Sequence, residues 1–343
     1  MSQIILANGK KVGDYKHPYI VAEVNSSHNG DVGTAKRMID EAKRIACDCV
    51  KFQSWSAESL YSASYYQENP IAKRIVGKFA MPEEALAELA EYCREIGIAF
   101  SSTPYCKREV DFLVDTCKVP FVKIASMDIN NYPYIRYIAE KGIPIVLATG
   151  MADLTEIQKA VEAVESTGNK NLCLLHCISL YPAETQTMQL NNILGLREKF
   201  PSYPIGFSDH SLGIEMPVAA TALGAAYIEK HFTLDKKKMG MDNNMAMEPE
   251  EFQSMVECCN RVYEAMGEYE RSVSEAELAQ RDKMRRSIVV TADLKEGSVL
   301  SEKDLDVKRP GTGIPPEKMP ELAGKVLTED VTADQILTED MIK

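Results

Sequence analysis

The chain has 343 residues, of which 45% are hydrophobic and 26% charged, the make-up of an ordinary globular protein. Its 39 Lys and Arg against 51 Asp and Glu leave a net charge of −12. This argues against nucleic acid and anionic membrane surfaces as partners, while leaving room for a local basic pocket. No apolar run approaches the roughly 20 residues needed to span a bilayer, and the amino-terminal MSQIILANGKKVGDYKH lacks the long apolar core and cleavage site of a signal peptide. Nine cysteines without a C-x-x-C pair, several inside apolar runs, read as reduced and mostly buried thiols, so a cytoplasmic location is expected.

In chain order, short apolar runs at roughly 19–25, 48–53, 98–102, 120–126, 143–149, 172–177, 203–208 and 226–231 predict strands. They are rich in Val, Ile, Phe and Ala without clean alternation, as parallel strands buried on both faces should be. Between them lie amphipathic stretches such as VGTAKRMIDEAKRIA, PEEALAELAEYCREIG and DLTEIQKAVEAVESTG. Eight strand–helix units over about 250 residues predict a (β/α)₈ TIM barrel. The competing doubly wound sheet lacks a G-x-G-x-x-G after its first strand.

Residues 54–82, rich in Ser and Tyr, predict an extended loop over the barrel mouth. The expected barrel domain is 1–271, followed by a polar linker helix over 272–286 and a small β-rich domain over 287–343. That last domain is marginal by itself and expected to lean on a partner.

Barrel active sites lie at the carboxyl ends of the strands. Those ends carry Glu23 and Asn25; Lys51 and Gln53; Ser101 to Thr103; Lys123, Ser126 and Asp128; Thr149; His176 and Ser179; Ser208 to His210; and Glu229 and His231. Polar groups at every mouth position are more than a structural barrel requires. Lys51 and Lys123 emerge from the apolar runs DCVKFQ and PFVKIAS. A buried lysine is costly without a counter-charge, so the pair points to a pocket for a multiply charged anion, with Thr103, Ser126, Ser179 and Ser208 as further donors. A Schiff-base lysine, or a lysine paired with a neighbouring carboxylate, fits the same pattern.

His210 and His231 end strands seven and eight, where neutral imidazoles suit a divalent metal or general acid–base work. His176, inside LLHC, reads as a hydrogen-bonded core group, and His28 follows a strand end. Asp209 and His210 are strand neighbours pointing to opposite faces, which argues against a direct relay. The methionine-rich KKKMGMDNNMAMEP walls the mouth, with Asp242 a candidate for hydroxyl binding. Arg309 stands on the Pro310–Gly311 turn of the tail.

Together, AEVNSSHNGD, VKFQ, SSTP, VKIAS with NNYP, ATGM, LLHCISLYP, GFSDHS, IEKHFTLD and VKRPGTGI resemble the N-acetylneuraminate (sialic acid) synthase family, including legionaminate and pseudaminate synthases. The resemblance runs from about residue 18 to the carboxyl terminus, and the tail is similar to that family's antifreeze-like (SAF) domain. It implies a transferase that condenses phosphoenolpyruvate with an N-acylated hexose and water, giving a nine-carbon 2-keto acid and phosphate.

By this resemblance His210 and His231 hold a divalent metal, Mn²⁺ with Mg²⁺ or Co²⁺ as substitutes. Lys51, Thr103, Lys123, Ser126, Ser179 and Ser208 surround phosphoenolpyruvate, while Glu23, Gln53, Tyr181 and Asp242 face the sugar. Glu23 also stands where a base would deprotonate the attacking water. Arg309 matches an arginine delivered by the second subunit of a homodimer with swapped carboxyl-terminal domains. The sequence departs from the family pattern at Ala148, Ser179 and Asp128, and in the KMGMDNN loop. The loop leaves N-acetylmannosamine and a diacetamido-trideoxyhexose of legionaminate or pseudaminate type as equal candidates. A Schiff-base aldolase and an inactive carbohydrate-binding protein are the alternatives of other classes.

Overall fold

The structure, a computed structural model, describes residues 2–343. The chain divides into two compact units, Met1–Gly267 and Glu268–Lys343. The first begins with an antiparallel hairpin, β1 (Gln3–Ile5) and β2 (Lys11–Gly13), ahead of the first predicted strand. Eight parallel strands follow: β3 (Tyr19–Glu23), β4 (Cys49–Gln53), β5 (Ala99–Thr103), β6 (Val122–Ile124), β7 (Ile145–Ala148), β8 (Leu172–Cys177), β9 (Ile205–Asp209) and β10 (Tyr227–His231). Each coincides with a predicted run.

The strands hydrogen-bond in the order β5-β4-β3-β10-β9-β8-β7-β6, a nearly closed TIM-like barrel. The seam lies between β5 and β6, where Ser101 Oγ donates to the Phe121 carbonyl at 3.0 Å. β6 is the shortest barrel strand, and Pro120 ahead of it has no N–H to offer a ladder.

Helices α1 (Val32–Arg44), α5 (Glu83–Ile96), α6 (Lys107–Asp115), α7 (Tyr132–Glu140), α8 (Leu154–Glu165), α9 (Asn192–Lys199), α10 (Glu215–Ala222) and α11 (Pro249–Met266) return the chain between strands and after the last of them. Residues 54–82 are not the extended loop expected from their Ser and Tyr content. They form three short helices, α2 (Ala57–Leu60), α3 (Ala63–Glu68) and α4 (Pro70–Phe79). Ser56 and Ser62 cap the first two, and Pro70 stands at the first position of the third, so the polar composition marks helix starts rather than disorder. Trp55, Tyr66, Val76 and Phe79 give this segment its own small core.

The strands alternate between two apolar environments, which is why their sequences look uniformly hydrophobic. Ile20, Val50, Ile124, Leu147, Leu174, Phe207 and Ile228 pack outward against the helices. Tyr19, Val21, Cys49, Phe121, Val146, Cys173, Leu175 and Tyr227 fill the barrel, and Ile4, Leu6 and Val12 of the hairpin close its amino-terminal end. Gly206 is needed in this interior, because a Cβ there would stand 2.8 Å from the Tyr227 carbonyl and 2.7 Å from its Cβ. Above this apolar fill the inward positions become charged or polar, beginning with Glu23, Lys51, Lys123 and Glu229.

In the second unit, residues 272–286 form two four-residue helices, α12 (Glu275–Leu278) and α13 (Arg281–Met284), instead of one continuous linker helix. Beyond them β11 (Ser287–Val290) pairs antiparallel with β12 (Leu305–Lys308). Isolated bridges such as Leu294–Val331 and Leu327–Ile342 complete a small β-rich unit, with α14 (Met319–Leu322) on its edge. Its core comprises Ile288, Val290, Leu300, Leu305, Ile314, Leu322, Leu327, Val331 and Leu337.

Candidate active site

The carboxyl ends of the barrel strands surround a cavity of about 350 Å³. Twelve of the thirteen residues singled out from the sequence line it: Glu23, Lys51, Gln53, Thr103, Lys123, Ser126, Ser179, Tyr181, Ser208, His210, His231 and Asp242. Strand register explains the convergence, since Glu23 lies level with Lys51 and His231, Gln53 with Thr103, and Ser208 with Glu229. The thirteenth, Arg309, is exposed and belongs to the second unit, just after β12.

The floor is a buried charge network. Lys51 pairs with Glu23, donates to Thr103 Oγ1 at 3.2 Å, and lies 3.8 Å from Glu229. Lys123 lies 3.4 Å from the same Glu229 oxygen. Glu229 also accepts from Tyr227 Oη at 2.9 Å and Ser208 Oγ at 3.2 Å. Burial would raise the Glu229 carboxyl, but Lys123 and then Lys51 reverse this and hold its pKa down at about 2. Burial opposes charge on Lys51, yet Glu229 and Glu23 outweigh it and lift its pKa above the ordinary lysine value. A lysine held charged in this way is a poor Schiff-base nucleophile. For Glu23 burial wins: its pKa is raised, with Lys51 pulling partly against the shift.

Glu229 had appeared in the sequence only as one strand-end carboxylate among several. Its task as the shared counter-charge of both lysines depends on register across β10, β3 and β4 and on the position of β6. The period-2 rule does place it inward, so that much was recoverable.

Around this floor Gln53 is fixed by three neighbours. Its Nε2 donates to Glu23 Oε1 at 3.1 Å, and its Oε1 accepts from Tyr105 Oη at 2.7 Å and Trp55 Nε1 at 3.1 Å. The backbone N–H of Asn25 donates to Glu23 Oε1 at 3.0 Å. The side chain of Asn25 donates to Asp242, which ties the methionine-rich loop to the end of β3. Ser126 Oγ accepts from the Gly150 N–H at 3.0 Å, and the Ser179 hydroxyl is buried without a protein partner. A Cβ on Gly150 would collide with both hydroxyls, standing 2.7 Å from Ser126 Oγ. Two lysines, three hydroxyls and a tight glycine turn make a cradle for an anion.

His210 and His231 face each other with ring centroids 5.3 Å apart, and Tyr181 lies over His210 at 4.2 Å. His210 Nδ1 is 2.7 Å from the Ile178 carbonyl; a carbonyl only accepts, so Nδ1 carries the hydrogen and Nε2 keeps a free lone pair. Burial opposes charge on His210, but Cys177, which also approaches Nδ1, and the Ile178 carbonyl raise its pKa. His231 is held neutral, its pKa pushed well below the usual value by burial, then by His210 and Lys51. Two imidazoles each offering a lone pair fit a divalent ion. Among the described residues no group of three or more His, Cys, Asp or Glu is arranged to hold a metal, so further ligands would come from water or substrate.

The remaining histidine readings divide by face. His176 points outward, with Nε2 2.7 Å from the Met188 carbonyl and its ring stacked on Phe207, as expected of a core group. His28 accepts from the Gly30 N–H, and burial lowers its pKa to about 4. Asp209 pairs with Lys230 on the helix side, away from the mouth, so no Asp209–His210 relay exists. At the opposite end of the barrel a wider groove of about 670 Å³ carries Lys43 and Arg94. These cations donate to the Gly97 and Cys117 carbonyls and serve the carboxyl ends of helices α5 and α6.

A (β/α)₈ barrel whose mouth joins an anion cradle to a pair of metal-competent histidines, followed by a small β-rich unit, defines an enzyme of the sialic acid synthase class. Residues 38–271 match the NeuB family and residues 285–343 the SAF domain. The chain is 36% identical over 338 residues to the N,N'-diacetyllegionaminic acid synthase of Legionella pneumophila, covering 95% of this chain and 94% of that one. It is 33% identical over 349 residues to the human N-acetylneuraminate-9-phosphate synthase, covering 99% and 97%. The crystal structure of an N-acetylneuraminic acid synthetase from Leptospira borgpetersenii superposes with a TM-score of 0.75 at 33% identity, covering 82% of this chain and 95% of that one. The chain belongs to the NeuB family of sialic, legionaminic and pseudaminic acid synthases.

Proposed function

We propose that this protein condenses phosphoenolpyruvate with the open-chain aldehyde of an N-acylated hexose. The observation that carries this reading is the buried Lys51–Glu229–Lys123 cluster beneath the Ser126, Ser179 and Gly150 turn. It offers a dianion charge and hydrogen bonds on the buried floor of the mouth. The enol carbon of phosphoenolpyruvate bonds to the aldehyde carbon, whose oxygen takes a proton and becomes a hydroxyl. Water adds to the cation left at carbon 2, losing a proton, and the tetrahedral intermediate expels phosphate by C–O cleavage to leave the 2-keto acid. Three carbons join six.

The lysines fix the anion against the electrophile, which supplies the orientation that a bimolecular reaction lacks. Glu23, with its pKa raised by burial, is suited to take the proton of the attacking water. Gln53, Tyr181 and Asp242 stand to read the hydroxyl and acylamido groups of the sugar. His210 and His231 would hold the divalent ion, Mn²⁺ in our reading with Mg²⁺ or Co²⁺ as substitutes. When bound, that ion supplies Lewis-acid polarisation of the aldehyde oxygen. The nine cysteines are unbonded, in keeping with a reaction in the reducing cytoplasm.

The test is consumption of phosphoenolpyruvate with Mn²⁺ and a panel of N-acyl hexoses, with 2-keto acid and phosphate formed in equal amounts. Activity that persists in EDTA would remove the metal from the reading. Borohydride trapping of a protein–substrate adduct would replace it with Schiff-base chemistry.

Arg309 we assign to the acceptor, delivered by the second subunit of a homodimer with exchanged carboxyl-terminal units. Arg309→Ala is expected to raise the KM for the acceptor about tenfold or more, the cost of one charge-assisted hydrogen bond, with a smaller change in the KM for phosphoenolpyruvate. Equal effects on both constants would contradict the assignment.

A further inference from the structure

Two residues that line the mouth, Trp55 and Tyr105, have no part in the roles assigned so far. Each stands two positions beyond a strand end, Trp55 after β4 and Tyr105 after β5. The register that sets Gln53 level with Thr103 brings both of them beside the Gln53 side chain. Trp55 is buried in the small core of α2 to α4, and Tyr105 packs against that core. The backbone N–H of Tyr105 donates to Glu109 Oε2 at 2.6 Å, which ties this turn to the first turn of α6.

Both side chains aim their polar hydrogen at one atom, Gln53 Oε1, Tyr105 Oη at 2.7 Å and Trp55 Nε1 at 3.1 Å. An amide oxygen has two lone pairs, so its capacity is filled. An indole N–H can only donate, and turning the amide over would set N–H against N–H. Nε2 is therefore aimed at Glu23 Oε1, which also accepts from the Asn25 N–H, while the other oxygen of that carboxylate pairs with Lys51. One N–H of Gln53 is left for the acceptor. A free glutamine side chain samples many rotamers, and a base works only when held within reach of its proton.

From this we infer that Tyr105 is a positioning residue for the condensation. Acting with Trp55, its hydroxyl locks the Gln53 amide, and through it the Glu23 carboxylate, in the orientation that takes the proton of the attacking water. The inference rests on the reaction proposed above and on the part given there to Glu23. It also gives the helices over the mouth a task beyond covering it, since the residues packed in their core hold the amide that orients the base.

The test uses the full-length enzyme with Mn²⁺, phosphoenolpyruvate and whichever of N-acetylmannosamine and a 2,4-diacetamido-2,4,6-trideoxyhexose the wild type uses faster. Tyr105→Phe removes one oxygen and keeps the ring that packs on α2 to α4. It is expected to lower kcat about 5–10-fold, the worth of one hydrogen bond, and to leave the KM for phosphoenolpyruvate within about twofold of the wild type. Because Tyr105 acts through Gln53, the two effects should not multiply. Gln53→Met should lower kcat by itself, and adding Tyr105→Phe to it should cost less than about twofold more.

An unchanged kcat in Tyr105→Phe overturns the inference, as does a rise in the KM for phosphoenolpyruvate equal to the fall in kcat, since the site would then have loosened as a whole. Fully multiplicative losses in the double variant overturn it too, because Tyr105 would then act independently of Gln53. If the wild type forms no 2-keto acid with either acceptor, the condensation reading itself falls, and the role of Tyr105 with it.

Discussion

Changing His231 to alanine is expected to lower kcat for metal-dependent phosphate release by roughly 10³-fold or more, the several kcal/mol that Lewis-acid polarisation of a carbonyl contributes. His231 ends β10 with its imidazole buried in the mouth and neutral, facing His210. Equilibrium dialysis against Mn²⁺ provides the independent readout: the wild-type chain should bind one ion and the variant none at the same free concentration. The fold should survive, because the ring makes no hydrogen bond to the floor and its nearest carboxylate, Asp242, lies 3.8 Å away. Full Mn²⁺ binding by the variant would show that His231 is not a ligand. Retained activity in EDTA would show that the ion is not needed.

Glu229→Ala should be the most destabilising change in the site, by about 3–5 kcal/mol in urea unfolding, because it leaves a buried ion cluster with an uncompensated charge. Lys51 would keep Glu23, but Lys123 would lose the only carboxylate within 4 Å among the described residues. The pH dependence gives a second signature. The folded pKa of Glu229 is depressed to about 2, against an unfolded value near 4.3. Its contribution is therefore present above the unfolded value and lost as pH falls through the window from about 4.3 to about 2. Glu23, whose pKa is raised, works in the opposite sense: it contributes below its unfolded pKa and loses that contribution as pH rises through the folded one. Stability of the wild type should thus fall more steeply than that of Glu229→Ala as pH drops through this window. Parallel curves would mean that Glu229 is not the counter-ion of the two lysines.

The sequence by itself determined the barrel, because eight apolar runs separated by amphipathic helices have few other ways to bury both faces of every strand. It also pointed to the side chains that reach the mouth, since a strand exposes alternate residues to one face, so that His210 turns inward while Asp209 beside it turns to the helices. His210 and His231 were legible in this way, as were Lys51 and Lys123. Tertiary structure decided which of them meet. Glu229 becomes the partner of two lysines only through the register that sets β10 beside β3 and brings β6 across the interior. Asn25 and Asp242 touch across more than two hundred residues, a contact that no local pattern encodes. The helices of residues 57–79 were hidden because their serines are caps and their apolar residues pack on one another rather than on the barrel, so the usual periodicity is too short to read. Local spacing decides which face a side chain occupies, whereas the charge or surface it meets there is set by elements far away in the chain.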